Sequence, residues 1–160
     1  MLTTISQSTT IDAPITLVMK SFYDIQNWPS WSKSCRRAIF LTKSEWDGNS
    51  KFLMSISLGP LPITLTNTFT VTNPLDLPQD AIEWNATKFG IESKHLWQFK
   101  EIKPNVTRIN SIETITGTAL FLFVPLGISL VIKYLNYRWI RDFKKNAEDS
   151  FKRTNNSKSI

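Results

Sequence analysis

The sequence predicts an α+β fold in which a curved antiparallel sheet wraps around a long C-terminal helix. Between Lys51 and Gly117 apolar residues recur with a period of two, and short turns separate the runs, as in consecutive antiparallel strands. From Ile128 to Phe151 the period becomes that of an α-helix. The apolar stripe of that helix needs a concave apolar surface to pack against, and a curved sheet provides one.

The first thirty residues predict a strand followed by a helix. Leu2–Ile11 is the strand, and Asp12-Ala13-Pro14 stops it. Proline suits the first helical turn, because the N–H that it lacks would be unpaired there. The apolar residues then recur at helical spacing, at Val18, Phe22 and Ile25. Trp28-Pro29 ends that run, since the residue before a proline resists the helical conformation.

Five strands are predicted in the middle of the chain. The clearest is Pro62–Thr72, where Ile63, Leu65, Phe69 and Val71 share one face and threonines occupy the other. A threonine face is a solvent face of high β-propensity, so this strand is half buried. The other four segments are Lys51–Leu58, Asp80–Phe89, Ser93–Ile102 and Val106–Gly117. Short turns between them predict a meander.

The C-terminal helix is predicted to be amphipathic. Its apolar stripe consists of Ile128, Val131, Ile132, Leu135, Trp139, Phe143, Ala147 and Phe151. The preceding apolar stretch, Thr118–Leu135, is not a membrane span, because Pro125 and Gly127 interrupt it and Lys133 lies inside it. Residues 119–126 are instead a hydrophobic flap. The flap either covers the mouth of a cavity or makes a transient membrane-surface contact together with the basic helix.

Composition limits the class of protein. With 160 residues and 41% hydrophobic residues, the chain is long enough for one core. Residues 1–153 are therefore predicted to form one domain, and residues 154–160 a flexible tail. The single cysteine, Cys35, excludes an internal disulfide and a cysteine-cluster metal site. Because residues 1–10 do not resemble a signal peptide, we expect a cytoplasmic protein.

The positive charge is concentrated at the C-terminus. From Lys133 onward there are eight basic and three acidic residues, which is +5 of the formal net charge of +6. Such a helix either meets phosphate groups of lipid or nucleic acid, or is a solvated face. The aromatic residues alternate with apolar neighbours and are not interleaved with lysine and arginine, so we expect no nucleic-acid partner.

Three segments resemble the START-like, or SRPBCC, superfamily, close to its polyketide cyclase and lipid-transport branch, and the resemblance covers about residues 3–153. They are Ile11-Asp12-Ala13-Pro14 with Asp24-x-x-Asn27-Trp28-Pro29-x-Trp31, then Trp97-x-Phe99 with Thr107-Arg108-x-Asn110-x-x-Glu113-x-x-x-Gly117, and the terminal helix with Phe143. The resemblance implies a helix-grip fold, with two short helices after the first strand and a hydrophobic cavity between sheet and long helix. It implies no shared catalytic residues, because the superfamily includes carriers, hormone and lipid binders, and a few cyclases.

The candidate site residues are those expected to face the cavity. They are Phe52, Met54, Phe69, Trp84, His95, Trp97, Phe99, Glu113, Leu135 and Trp139. Two of them leave alternatives open. His95 either faces the cavity as a hydrogen-bond donor or acid–base group, or lies at a strand end near solvent. Glu113 is either inward and paired, or outward and solvated.

A catalytic apparatus is hard to assemble from these residue types. There is no cluster of metal ligands, no glycine-rich phosphate loop and no nucleophile-elbow motif in the sequence. We therefore expect no metal and no cofactor. The predicted function is binding of a hydrophobic small molecule or lipid, as a carrier or sensor. The alternative is a cyclase or dehydratase acting on an apolar or polyketide-like substrate, with His95 or Glu113 as proton donor.

Overall fold

The computed structural model describes residues 2–43, 46–57, 64–72, 80–118 and 127–157. Within these ranges the chain alternates one strand, a set of short helices, six strands and a long helix. The elements are β1 (Leu2–Ile11), α1 (Ile15–Tyr23), a 3₁₀ turn (Ile25–Asn27), α2 (Trp28–Trp31), β2 (Cys35–Phe40), β3 (Lys51–Ser57), β4 (Thr64–Thr72), β5 (Ala81–Lys88), β6 (Ile91–Lys103), β7 (Val106–Gly117) and α3 (Ile128–Asn156).

The described strands form one antiparallel sheet in the order β1-β7-β6-β5-β4-β3-β2. Strands β2 to β7 follow one another as a meander, and β1 closes the far edge by pairing with β7, from Leu2 opposite Thr116 to Ile11 opposite Thr107. The chain must therefore cross from one edge of the sheet to the other between β1 and β2. Helices α1 and α2 make this crossing on the same side of the sheet as α3. The predicted helix-grip architecture is confirmed.

The period-two pattern of the strands places one face of the sheet in the core. Trp84 on β5 and Trp97 on β6 are buried, as are their same-face neighbours Ile82 and Phe99. Rings from α1, α2 and α3 cover this concave face, so it is the surface that a ligand between the sheet and α3 would contact.

Three local predictions differ from the structure. Cys35–Phe40 forms β2, which we did not predict, because the register shift between Cys35 and Arg37 breaks the alternation of buried and exposed residues. Leu65, expected inward, is exposed, since β4 pairs with β5 only over Thr70–Thr72 and its first half lacks that neighbour. Trp28-Pro29 does not end the helical region. It begins α2, because proline is tolerated in the first turn of a helix.

The long helix α3 buries a face different in part from the predicted stripe. Among its described side chains, the buried ones are Ile140, Asp142, Phe143 and Ala147, and the side chain of Ile128 lies outside the described part. Val131, expected on the stripe, is exposed, because at about 100° per residue it lies far from Phe143 and Ala147 around the helix. The helix includes residues 154–156, which belong to the predicted tail. The predicted flap, residues 119–126, lies outside the described residues.

Polar contacts fasten α3 to the rest of the molecule. The Lys144 ammonium donates to the Thr10 carbonyl oxygen at 2.7 Å, and the Asp12 amide donates to the Glu148 carboxylate at 3.0 Å. The Lys33 amide donates to Asp142 Oδ2 at 3.0 Å. These bonds join the helix to the end of β1 and to the segment before β2. Among the described helices, none combines the length and hydropathy needed to cross a bilayer.

Candidate functional site

The interior between sheet and helix is built around the ring of Phe22, which α1 inserts from one end. Its centroid lies 5.0 Å from Phe99 and 5.2 Å from Trp97 on the sheet side. On the helix side it lies 5.7 Å from Trp139 and 5.8 Å from Phe143. All four pairs are tilted or edge-to-face, the second of which is a geometry that aromatic quadrupoles favour. One aromatic cluster therefore joins α1, the sheet and α3.

Nine of the ten predicted site residues lie on this concave face or on the part of α3 that packs against it. Phe52 and Phe69 stack on neighbouring strands with centroids 5.2 Å apart, and Phe52 meets Trp84 edge-on at 5.4 Å. Met54 is buried beside them. Trp139 packs against Trp97 at 4.9 Å. Leu135 is the exception: it is partly exposed and is not among the described residues that pack against the core.

His95 is buried on the concave face of β6, not at a strand end near solvent. Its ring stacks on Trp97 at 4.7 Å, and its Nε2 lies 2.8 Å from the Ser111 hydroxyl on β7. Burial lowers the pKa of His95, and the nearby Glu113 carboxylate opposes this shift. The imidazole is therefore neutral at physiological pH and can exchange hydrogen bonds with Ser111 in either direction.

Glu113 is the cross-strand partner of His95 and faces the same side. Its Oε1 accepts a hydrogen bond from the Ser93 hydroxyl at 2.9 Å, and its Oε2 accepts one from Asn136 Nδ2 on α3 at 2.8 Å. The inward, paired alternative is therefore the one that the structure shows. The carboxyl group therefore links the sheet to α3 beside the imidazole of His95.

Three indole N–H groups of the aromatic cluster, those of Trp31, Trp84 and Trp97, lack a hydrogen-bond partner among the described residues, and two of them lie on the concave face of the sheet. Trp84 Nε1 and Trp97 Nε1 are buried and have no acceptor among the described residues. Both rings contact His95, since the centroid of Trp84 lies 5.4 Å from that of the imidazole. A buried donor without an acceptor costs about 1–3 kcal/mol, so these two groups favour the entry of a molecule that carries one.

Sequence reasoning missed several residues of this interior. Ser93 and Ser111 are in phase with His95 and Glu113 on their strands, and that phase is a signal that could have found them. Phe22 was recognised only as a helix residue. Trp46 lies in the connection between β2 and β3 and packs against Phe22, with centroids 6.1 Å apart. No periodicity points to a residue in such a connection.

The described part of the chain brings no three His, Cys, Asp or Glu side chains together in the way that metal ligands require. The cluster of Ser93, His95, Ser111, Glu113 and Asn136 offers hydroxyl, imidazole, carboxylate and amide groups. These can donate or accept hydrogen bonds and move protons. Both Glu113 oxygens are engaged by Ser93 and Asn136, and neither bonds His95 as the carboxylate of a Ser–His–Asp triad would.

No protein-family model matches the sequence, and no curated protein matches it. Solved structures do resemble the fold. The Zhui aromatase/cyclase from Streptomyces sp. R1128 superposes with a TM-score of 0.73 at 12% identity, over 92% of this chain and 94% of the other. A START superfamily protein from Mycobacterium smegmatis gives 0.70 at 12% identity, over 94% and 98%.

A third similar structure is norcoclaurine synthase from Thalictrum flavum, in complex with dopamine and hydroxybenzaldehyde. It gives a TM-score of 0.69 at 9% identity, over 93% of this chain and 88% of the other. At such identities the likeness concerns the fold. The chain has the START-like helix-grip fold, in agreement with the sequence motifs at Ile11–Pro14 and Asp24–Trp31.

Proposed function

We propose that this chain binds a mostly apolar small molecule between the concave face of its sheet and α3, as a carrier or sensor. The observation that carries the proposal is the pair of buried, unpartnered indole N–H groups of Trp84 and Trp97 beside His95. A site with apolar walls and a few oriented polar groups has the usual composition of a small-molecule pocket. The fold supports hydrophobic ligand binding, or cyclase chemistry, only in general terms.

The residues that line the interior indicate the chemical class of the ligand. Rings from both sides of the interior favour a flat or aromatic apolar body, by dispersion and loss of hydrated surface. Two N–H donors and the His95–Ser111 pair favour at least one acceptor oxygen on that body, such as a carbonyl or hydroxyl. Of the similar structures, norcoclaurine synthase holds dopamine and hydroxybenzaldehyde, which are small aromatic molecules with oxygen substituents.

The first test is whether an apolar molecule accompanies the protein. We expect native mass spectrometry of the purified chain, followed by solvent extraction, to show such a molecule. A matched pair of probes then separates the roles of the walls and the donors. One is a naphthyl methyl ketone, and the other is its isopropenyl isostere, in which CH₂ replaces the carbonyl oxygen.

Replacing Trp84 or Trp97 by Phe keeps a ring and removes the N–H. Each variant should weaken ketone binding by about twofold to tenfold, the range for one hydrogen bond, and leave isostere binding nearly unchanged. Trp28→Phe is the matched control, because Trp28 Nε1 already donates to the Phe22 carbonyl oxygen at 2.8 Å. If neither probe binds the folded chain and nothing copurifies, the proposal is wrong.

The second candidate function is a cyclase or dehydratase acting on an apolar or polyketide-like substrate. The convergence of His95, Ser111 and Glu113 beside the aromatic interior favours it, since an imidazole and a carboxyl group can each act as a general acid or base. An enzyme would return altered material from incubation with its substrate, whereas a carrier returns the molecule unchanged. If turnover is found, His95→Gln and Glu113→Gln should each lower its rate about a hundredfold. Full turnover in the double variant would exclude both residues.

A further inference from the structure

The outward face of α3 has two parts that the interior site does not use. Its first half exposes large apolar and aromatic side chains: Leu130 is 73%, Tyr134 50% and Tyr137 57% exposed. They recur at intervals of three or four residues, so they lie on one side of the helix. That side is turned away from the buried residues Phe143 and Ala147. We call these three residues the apolar end of α3.

The second half of the same face is basic. Arg141, Lys145 and Lys152 continue the line of Tyr134 and Tyr137 along the helix. They border a groove of about 760 Å³ between α3 and the end of α2. Lys33 and Arg153 also line this groove. We call these five cations, four on α3 and Lys33 beside it, the basic end of α3.

The charges of the basic end are only partly compensated. Of its three acidic neighbours, Asp142 accepts hydrogen bonds from Arg141 at 3.1 Å and from the Lys33 amide, Glu148 pairs with Lys144 at 3.5 Å, and Asp149 is solvent-exposed. No ion pair within the described residues engages Lys145 or Lys152. The groove therefore has free positive charge, which suits an anionic partner.

We propose that the outward face of α3 docks the protein on an anionic lipid bilayer. The apolar end penetrates the interface, and the basic end lies on the headgroups. Tyrosine and leucine beside lysine and arginine on one helix face is the composition of interfacial helices, in which apolar burial and attraction to anionic lipid add. Tyrosine suits this depth because its ring is apolar and its hydroxyl polar. The Arg138 guanidinium lies 5.5 Å above the Tyr134 ring, so a cation contacts an aromatic ring where the apolar end meets the basic end.

The separation of the two ends favours lipid over nucleic acid. Single-stranded nucleic acid is bound by aromatic platforms interleaved with cations along a groove. Here the exposed tyrosines are at one end of the face and most cations at the other, which matches a bilayer with an apolar layer beneath charged headgroups. The ring of Trp31, which also lines the basic groove, packs against Trp139 and Phe143 and is not one of a series of platforms. The proposal does not depend on the interior ligand, so either can fail without the other.

The test is flotation of the full chain with vesicles of phosphatidylcholine, with and without phosphatidylserine. We expect flotation only with phosphatidylserine, and less of it as salt is added. Lys145→Glu/Lys152→Glu should lower partitioning at least about tenfold, since each basic residue near an anionic surface contributes about fivefold. Lys100→Glu/Lys103→Glu on β6 has the same net charge and should float nearly as well as the wild type.

The apolar end is tested by Leu130→Gln/Tyr137→Gln against Leu2→Gln/Leu65→Gln, whose leucines are exposed elsewhere. The first pair should lose most flotation and the second should keep it, with circular dichroism confirming that all variants fold. Recovery of the wild type in the soluble fraction with both vesicle types overturns the proposal. So does equal flotation of test and control variants. If the chain binds an oligonucleotide and only the lysine variant weakens that binding, the face is a polyanion surface and the bilayer proposal is wrong.

Discussion

At the scale of single residues, the imidazole of His95 is a probe of the interior whose signal no other histidine overlaps. It is the only histidine of the chain, so its proton can be followed directly. It is buried between two tryptophan rings and bonded to Ser111. Burial disfavours the charged form, and Glu113 only partly offsets this effect. Any ligand that reaches Trp97 must also come close to this ring.

The lowered pKa of His95 predicts how stability depends on pH. In the unfolded chain the imidazole has its ordinary pKa of 6.5, and in the folded chain its pKa is lower. Between the two values the unfolded state binds more protons, so the free energy of unfolding falls as the pH falls below about 6.5. Urea unfolding between neutral pH and about pH 5 should show this loss, and His95→Gln should lack that component. An imidazole NMR titration at or above 6.5 in the folded chain would contradict the prediction.

Cys35 is predicted to be unreactive in the folded chain. Burial raises the pKa of its thiol to about 11, against an ordinary value of 9.0. Because the thiolate is the reactive form, alkylation by iodoacetamide near pH 8 should be at least about a hundredfold slower than in the urea-unfolded chain. Equal labelling rates in the two states would show that the thiol is accessible.

At the scale of elements, Asp142 ties α3 to the segment between α2 and β2. Its buried carboxylate accepts a hydrogen bond from the backbone N–H of Lys33. Without it, that N–H would be unpaired in a partly buried position. Asp142→Ala should therefore lower the free energy of unfolding by about 1–3 kcal/mol, as measured by urea denaturation. Asp149→Ala, exposed on the same helix, should change it by less than about 0.5 kcal/mol. Similar losses in the two variants would mean that the bond to Lys33 contributes nothing.

The elements differ in how far the sequence predicts them. Strands β5 to β7 were predicted closely, because regular alternation and short turns determine both their type and their order. Strand β2 was missed, since the bulge after Cys35 removes the alternation that identifies a strand. The apolar pattern predicts the wrong face for Val131. In the structure α3 lies on the concave face of the sheet with Asn136 and Ile140 inward, and the apolar pattern alone does not specify this rotation of the helix.

At the scale of the whole molecule, the candidate site combines residues that are distant in the sequence. Because alternation shows which face of a strand is inward, the inward position of His95, Trp97 and Trp84 was predictable. That Glu113 lies opposite His95 depends on the β6–β7 register, and a bulge between Glu101 and Lys103 shifts that register. The central position of Phe22 depends on how α1 crosses the sheet. Neither can be derived from local periodicity.

Phe22 provides the last prediction, because its ring contacts rings from every layer of the molecule, including Trp84, Trp97, Trp139 and Phe143. Phe22→Ala should lower the free energy of unfolding by about 3–5 kcal/mol, the range for removing a buried aromatic side chain. The matched control is Phe89→Ala, since Phe89 is 83% exposed in the turn after β5, and its change should stay within about 0.5 kcal/mol.

If one cluster holds the layers together, they must also unfold together. Far-UV circular dichroism, which follows the helices and sheet, and tryptophan fluorescence, which follows the rings, should give coincident urea transitions in the wild type. Phe22→Leu, which retains part of the ring's volume, should shift both midpoints by the same amount and less than Phe22→Ala does. If α3 unfolds in a separate transition, or Phe22→Ala costs no more than Phe89→Ala, then Phe22 is not the residue that couples the sheet to α3.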